Sequence, residues 1–133
     1  GWTPEQAAGI VGNLQKESGL DPRQYLSNGI EESFGLAQWN AEGSPERVEN
    51  ALRVMQVSDI REATFEQQLG FIQWELVNSE IRAATELRST SSAASAAESF
   101  DIYYERSDGS ARRANKPQAY AEQALSAHTS GGN

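Results

Sequence analysis

Apolar residues recur at helical spacing from near the start of the chain: Ala7, Ile10, Val11 and Leu14 fall on one stripe, and Glu5, Asn13 and Lys16 lie away from it. Ahead of the stripe, Thr3-Pro4-Glu5-Gln6 is a helix start with a mechanism. Thr3 caps, Pro4 takes the first helical position, and Gln6 reaches back to close a capping box. Gly19 supplies the stop. The same period returns at Val48, Ala51, Leu52 and Met55 behind Ser44-Pro45-Glu46, and at Phe65, Leu69, Ile72 and Leu76 behind a second capping pair, Thr64 and Gln67. Phe71 and Trp74 widen the apolar surface of that third helix, which is therefore expected to be the central, most buried one. A shorter helix with Ile81, Ala84 and Leu87 follows. Residues 89–97 are rich in Ser and Ala, yet Ala93, Ala97, Phe100 and Tyr104 keep helical spacing, so a small-residue packing helix is expected in place of a linker. Ser107-Asp108-Gly109-Ser110 reads as a turn, 117–127 as the last helix and 129–133 as a flexible tail.

Between 20 and 43 the period disappears. This stretch holds Pro22, Gly29 and Gly35 and is longer than connections in compact domains usually are. Asn28-Gly29 signals a turn and 33–39 a short strand leading away from it, so 25–40 is expected to form a small antiparallel flap. The fold class that follows is mainly α, a helical domain that carries a small β-hairpin flap. A chain of 133 residues suits one domain, 1–128, with 129–133 as its tail. Gly1-Trp2, directly before a helix cap, reads as the edge of a domain cut from something longer.

Composition narrows the chemistry. With no cysteine and one histidine, disulfide frameworks, zinc sites and Cys-His or Ser-His nucleophile systems are ruled out or nearly so. No His or carboxylate cluster has ligand spacing, so neither metal nor cofactor is expected. A net charge of -8 repels phosphate backbones, and only Arg112-Arg113 adjoin among the basic residues, which argues against nucleic acid. No apolar run approaches the ~20 residues of a membrane span. Any catalysis falls to carboxylates. Glu17 stands out among them, because it projects to the margin of the first apolar stripe in the last turn of its helix. On its own, a glutamate near a helix end is ordinarily a solvated surface residue, although burial beside Leu14 and the negative end of the helix dipole would both disfavour its charged form.

The opening T-P-E-Q-A-A-G-I-V-G-N-L-Q-K-E-S-G-L, then G-L-A-Q-W in the flap, then F-D-I-Y-Y-E late in the chain, resembles the phage tail lysozyme family over about 2–125. More widely the pattern is similar to the lysozyme-like superfamily, with goose-type lysozymes and soluble lytic transglycosylases, which implies a lysozyme-like α+β arrangement with a cleft between the first helix and the flap. The resemblance implies a muramidase that cleaves the β-1,4 bond between N-acetylmuramic acid and N-acetylglucosamine of bacterial peptidoglycan, in a phage tail or a lysin acting on the host wall. It implies Glu17 as the general acid, Gly35-Leu36-Ala37-Gln38 along the cleft floor, and Tyr103-Tyr104 as the late tyrosine motif that in relatives faces the glutamate or the acetamido group. Ser33, Gln38, Tyr104 and Glu31 are the expected substrate contacts, and other tail proteins or further domains of the same chain the expected partners. Egg-white-type lysozymes carry D-Y-G-I-L-Q where this chain has S-F-G-L-A-Q, so Ser33 stands in place of their second carboxylate. Leu26 likewise stands where other phage lysozymes have an Asp. Three routes stay open: Glu31, on the strand face of Ser33 by period two, activating water; Glu17 with help from the substrate's N-acetyl group; or Glu17 as acid and then base, giving a 1,6-anhydro sugar. A non-catalytic wall-binding module and a chitinase-like glycosidase are the alternatives.

Overall fold

In the computed structural model, which describes residues 1–131, the first capping box closes in both directions. The Gln6 N–H donates to Thr3 Oγ1 and the Thr3 N–H to Gln6 Oε1, each at 3.1 Å. Helix α1 runs from Pro4 to Ser18, and Gly19 follows at φ +65°, the left-handed conformation that stops a helix. The chain divides into two compact units, Glu17–Glu75 and a second made of Gly1–Lys16 with everything from Leu76 onward.

In the unit Glu17–Glu75, strands β1 (Tyr25–Ser27), β2 (Glu32–Phe34) and β3 (Trp39–Asn40) form an antiparallel sheet in that order. Leu26 opposes Ser33, and Ser33 opposes Asn40. The Asn28 side chain builds the first turn, its Oδ1 accepting from the N–H groups of Ile30 at 2.9 Å and Glu31 at 2.7 Å. The single strand expected over 33–39 is corrected here, because β2 stops at Phe34 and the chain turns through Gly35 and Gln38, at φ +79° and +56°, and comes back along β2 as a third strand. Gly35 has to be glycine: besides its φ, a Cβ there would stand 2.6 Å from Gln68 Oε1.

Helix α2 (Pro45–Met55) begins with proline at its first turn, as expected, but the Ser44 side chain makes no cap bond. A 3₁₀ turn, Ile60–Glu62, leads to α3 (Phe65–Asn78), whose Thr64–Gln67 capping box also closes both ways, at 2.7 and 3.1 Å. Helix α3 corrects the expectation that it is the most buried helix: Glu66, Gln67, Gly70, Gln73, Val77 and Asn78 are exposed, whereas α1 exposes only Pro4, and the apolar width of α3 goes into Phe71, edge-on to Trp39 and stacked on Trp74. Two fully buried polar side chains on α3 hold the flap's base. Gln68 Oε1 accepts the Leu36 N–H at 2.8 Å while its Nε2 donates to the carbonyls of Pro22, Ile60 and Ala63. Glu75 accepts from Trp39 Nε1 at 3.0 Å and from Arg47 Nε at 2.8 Å and Nη2 at 3.0 Å.

The other unit combines α1 up to Lys16 with α4 (Ile81–Arg88), α5 (Ala93–Phe100), α6 (Ser110–Arg113) and α7 (Lys116–Gly131). Helix α5 runs straight into a π turn, Asp101–Glu105. The Ser/Ala segment is a packing helix, as its spacing predicted, with Ser92 capping at Ser95 N–H and Ala93, Ala96, Ala97 and Phe100 buried. Glycines let α1 approach its neighbours closely: a Cβ on Gly9 would lie 2.5 Å from Ala96 Cβ, and one on Gly12 2.5 Å from the Pro117 carbonyl. Asn13 and Lys16 correct the expectation of a polar outer side. Asn13 is fully buried, donating to the carbonyls of Gly9 and Ala97, and the Lys16 ammonium meets the buried Asp101. Of the tail expected over 129–133, residues to Gly131 continue α7, and 132–133 lie outside the described residues.

Candidate active site

Glu17 occupies the last turn of α1, one turn beyond the fully buried Leu14 and beside the buried Ser18, and is itself half-buried. The sequence placed it at the margin of the apolar stripe, and its partial exposure is that of a margin residue. Glu31, Ser33 and Gln38 belong with Glu17 to the same unit, and Tyr104 belongs to the other.

Ser33 is the middle residue of the central strand β2 and is half-buried. Glu31 lies outside that strand, in the exposed turn before it, so period two does not place it on the face of Ser33. Its carboxylate is steadied instead by Asn40, whose Nδ2 donates to Oε2 at 3.1 Å. Gln38 closes the second flap turn from within: its Nε2 donates to the carbonyls of Gly35 at 2.9 Å and Gln24 at 3.3 Å, leaving Oε1 buried with no hydrogen bond. Both acceptors are carbonyl oxygens, so the amide orientation is fixed by chemistry. Leu36 and Ala37 beside it are buried. Tyr104, expected among the substrate contacts, is fully buried with its ring centroid 4.3 Å from that of Phe100, and offers no face to a ligand. Its neighbour Tyr103 is half-buried, with the Arg82 guanidinium 5.0 Å from its ring.

The flap also carries a layer that sequence spacing did not reveal. Tyr25 and Phe34 are cross-strand partners with ring centroids 5.1 Å apart, and the Arg61 guanidinium lies 4.8 Å from the first ring and 5.3 Å from the second. Asp59 fixes that guanidinium with two bonds, from Nε at 3.0 Å and Nη2 at 2.7 Å. The hydrogen bonds from Arg61 hold the Asp59 carboxyl below the usual carboxylate range. A hydrogen bond to Glu32 pushes the Tyr25 phenol up. A register and a 3₁₀ turn bring these five residues together, and neither is visible in a linear pattern.

Among the described residues no group of three or more His, Cys, Asp or Glu is arranged to hold a metal ion, and no helix is long and apolar enough to cross a membrane. Compared with known protein families, residues 1–127 match the model described as phage tail lysozyme. A comparison with curated proteins finds no match.

Proposed function

We infer that this chain, which belongs to the phage tail lysozyme family, is a muramidase that cleaves the β-1,4 bond between N-acetylmuramic acid and N-acetylglucosamine, with Glu17 protonating the departing oxygen. Family membership implies the coarser role, hydrolysis of peptidoglycan from a virion tail. The bond and the residue are the inference. One observation carries it: within the matched span, the E-S pair closes a capped helix of 15 residues and leaves a half-buried carboxyl at its end. A glycosidic oxygen is a poor leaving group until it is protonated. A carboxyl partly withdrawn from water, next to the negative end of a helix, is suited to keep that proton until the bond breaks.

The opposing role needs a base for water or a group on the substrate. Ser33 has no carboxylate to form a glycosyl-enzyme, so a double displacement at that position is unavailable. Glu31 is the proposed base: Asn40 occupies one of its oxygens with a single donor, which leaves acceptor capacity for a water proton. Ser33 is proposed to bond the sugar through its hydroxyl, and Gln38 to shape the turn beneath by its two carbonyl bonds. Tyr104, packed away, is left as a core residue in this account.

Digestion of purified peptidoglycan followed by mass spectrometry tests the reading. New reducing N-acetylmuramic ends are expected. Reducing N-acetylglucosamine ends would contradict the bond assignment, and 1,6-anhydro ends would make the chain a transglycosylase. Glu31→Gln is expected to lower kcat roughly 10²-fold or more with little change in KM, the usual size of a general base's contribution. An unchanged kcat would give water activation to the substrate's acetamido group.

A further inference from the structure

We propose that Asp101 is a positioning residue for this reaction, fixing through Lys16 the helical turn that presents Glu17; the proposal rests on the reading of Glu17 as the acid. Asp101 is completely buried, yet it is an anion held by donors from three places in the chain. Its Oδ1 receives Lys16 Nζ at 2.7 Å, from the last turn of α1. Its Oδ2 receives Arg112 Nη1 from α6 at 2.7 Å and Ser107 Oγ at 2.8 Å. Its own carbonyl accepts the Arg106 N–H at 2.7 Å, the bond that closes the π turn.

Burial of an ion pair is weak evidence for stability, because desolvation offsets much of the attraction, and its better-attested use is to select one geometry. Here the geometry selected is that of a helix end. The last carbonyls of a helix lack intrahelical donors and its final turn frays. Beyond α1 the chain leaves the helix through two left-handed residues, Gly19 and Leu20. Lys16 and Glu17 are consecutive, and consecutive helical side chains point about 100° apart. Tethering Lys16 therefore fixes the direction in which Glu17 leaves the helix. A general acid misplaced by about 1 Å can lose 10²-fold in rate.

The test compares wild type, Asp101→Asn, Lys16→Met, Lys16→Arg and Glu17→Gln on soluble peptidoglycan glycan strands, with kcat and KM measured well below each variant's Tm. Lys16→Met keeps Asp101 bonded to Arg112 and Ser107, so it remains informative if Asp101→Asn does not fold. The expected result is a kcat for Lys16→Met lowered by roughly 10- to 100-fold, a KM within about twofold, and recovery of most of the rate in Lys16→Arg, whose guanidinium restores a cation to the same carboxylate. Wild-type kcat in folded Lys16→Met beside an inactive Glu17→Gln would overturn the positioning role alone. An active Glu17→Gln would instead remove the assignment of the acid, and this proposal with it.

Discussion

Polar residues in this chain do work that their position in the sequence does not announce. Asn13, Gln68, Glu75 and Asp101 are all fully buried, and a linear pattern assigns such residues to the surface. Each has a partner far along the chain: Asn13 Nδ2 donates to Ala97, 84 positions away, Gln68 accepts from Leu36, 32 away, Glu75 from Arg47, 28 away, and Asp101 from Lys16, 85 away. Spacing over one or two helical turns carries no trace of such pairs. The half-buried position of Glu17 was legible for the opposite reason, since a carboxylate at the edge of an apolar stripe is a local anomaly. At this scale Asp59 gives a pH prediction. Its carboxyl is held below its ordinary 3.8 by Arg61, so its contribution is complete above that value and is lost as pH falls through the lower folded-state value. Asp59→Asn should therefore lower Tm at neutral pH and flatten the decline of Tm below about pH 4. A melting series in which the acid decline keeps its wild-type slope would refute this.

Elements whose start signals are chemical were readable in advance. The Thr3–Gln6 and Thr64–Gln67 boxes both close as drawn from sequence, because the donors and acceptors concerned lie three residues apart. The third strand of the flap was not readable, because it depends on a left-handed Gln38, which no propensity favours and which its own two carbonyl bonds help to hold. The π turn after α5 was equally hidden. Helix packing yields a contrast between glycines. Gly9→Ala should destabilise the fold by roughly 1–3 kcal/mol, since its methyl would meet Ala96 Cβ at 2.5 Å and the Ala96 backbone at 2.6 Å. Gly70→Ala, on the exposed side of α3 with nothing within 4 Å of the added carbon, should stabilise by about 0.5–1 kcal/mol. Urea unfolding of the two variants checks both signs, and a neutral Gly9→Ala would mean that α1 and α5 can separate at little cost.

At the scale of the whole molecule, the fold is mainly helical with a small antiparallel sheet, and the family match over 1–127 implies a peptidoglycan-hydrolysing role. What the whole chain is proposed to do converges on one carboxyl. The direct measurement is to incubate Glu17→Gln and wild type with purified peptidoglycan, comparing the soluble fragments released and the protein that sediments with the wall. Glu17→Gln keeps the side chain's size and loses its ionisable proton, so the account predicts a folded protein that still sediments with the wall and releases no fragments while wild type does. Fragment release by Glu17→Gln at the wild-type rate would contradict the account at its centre.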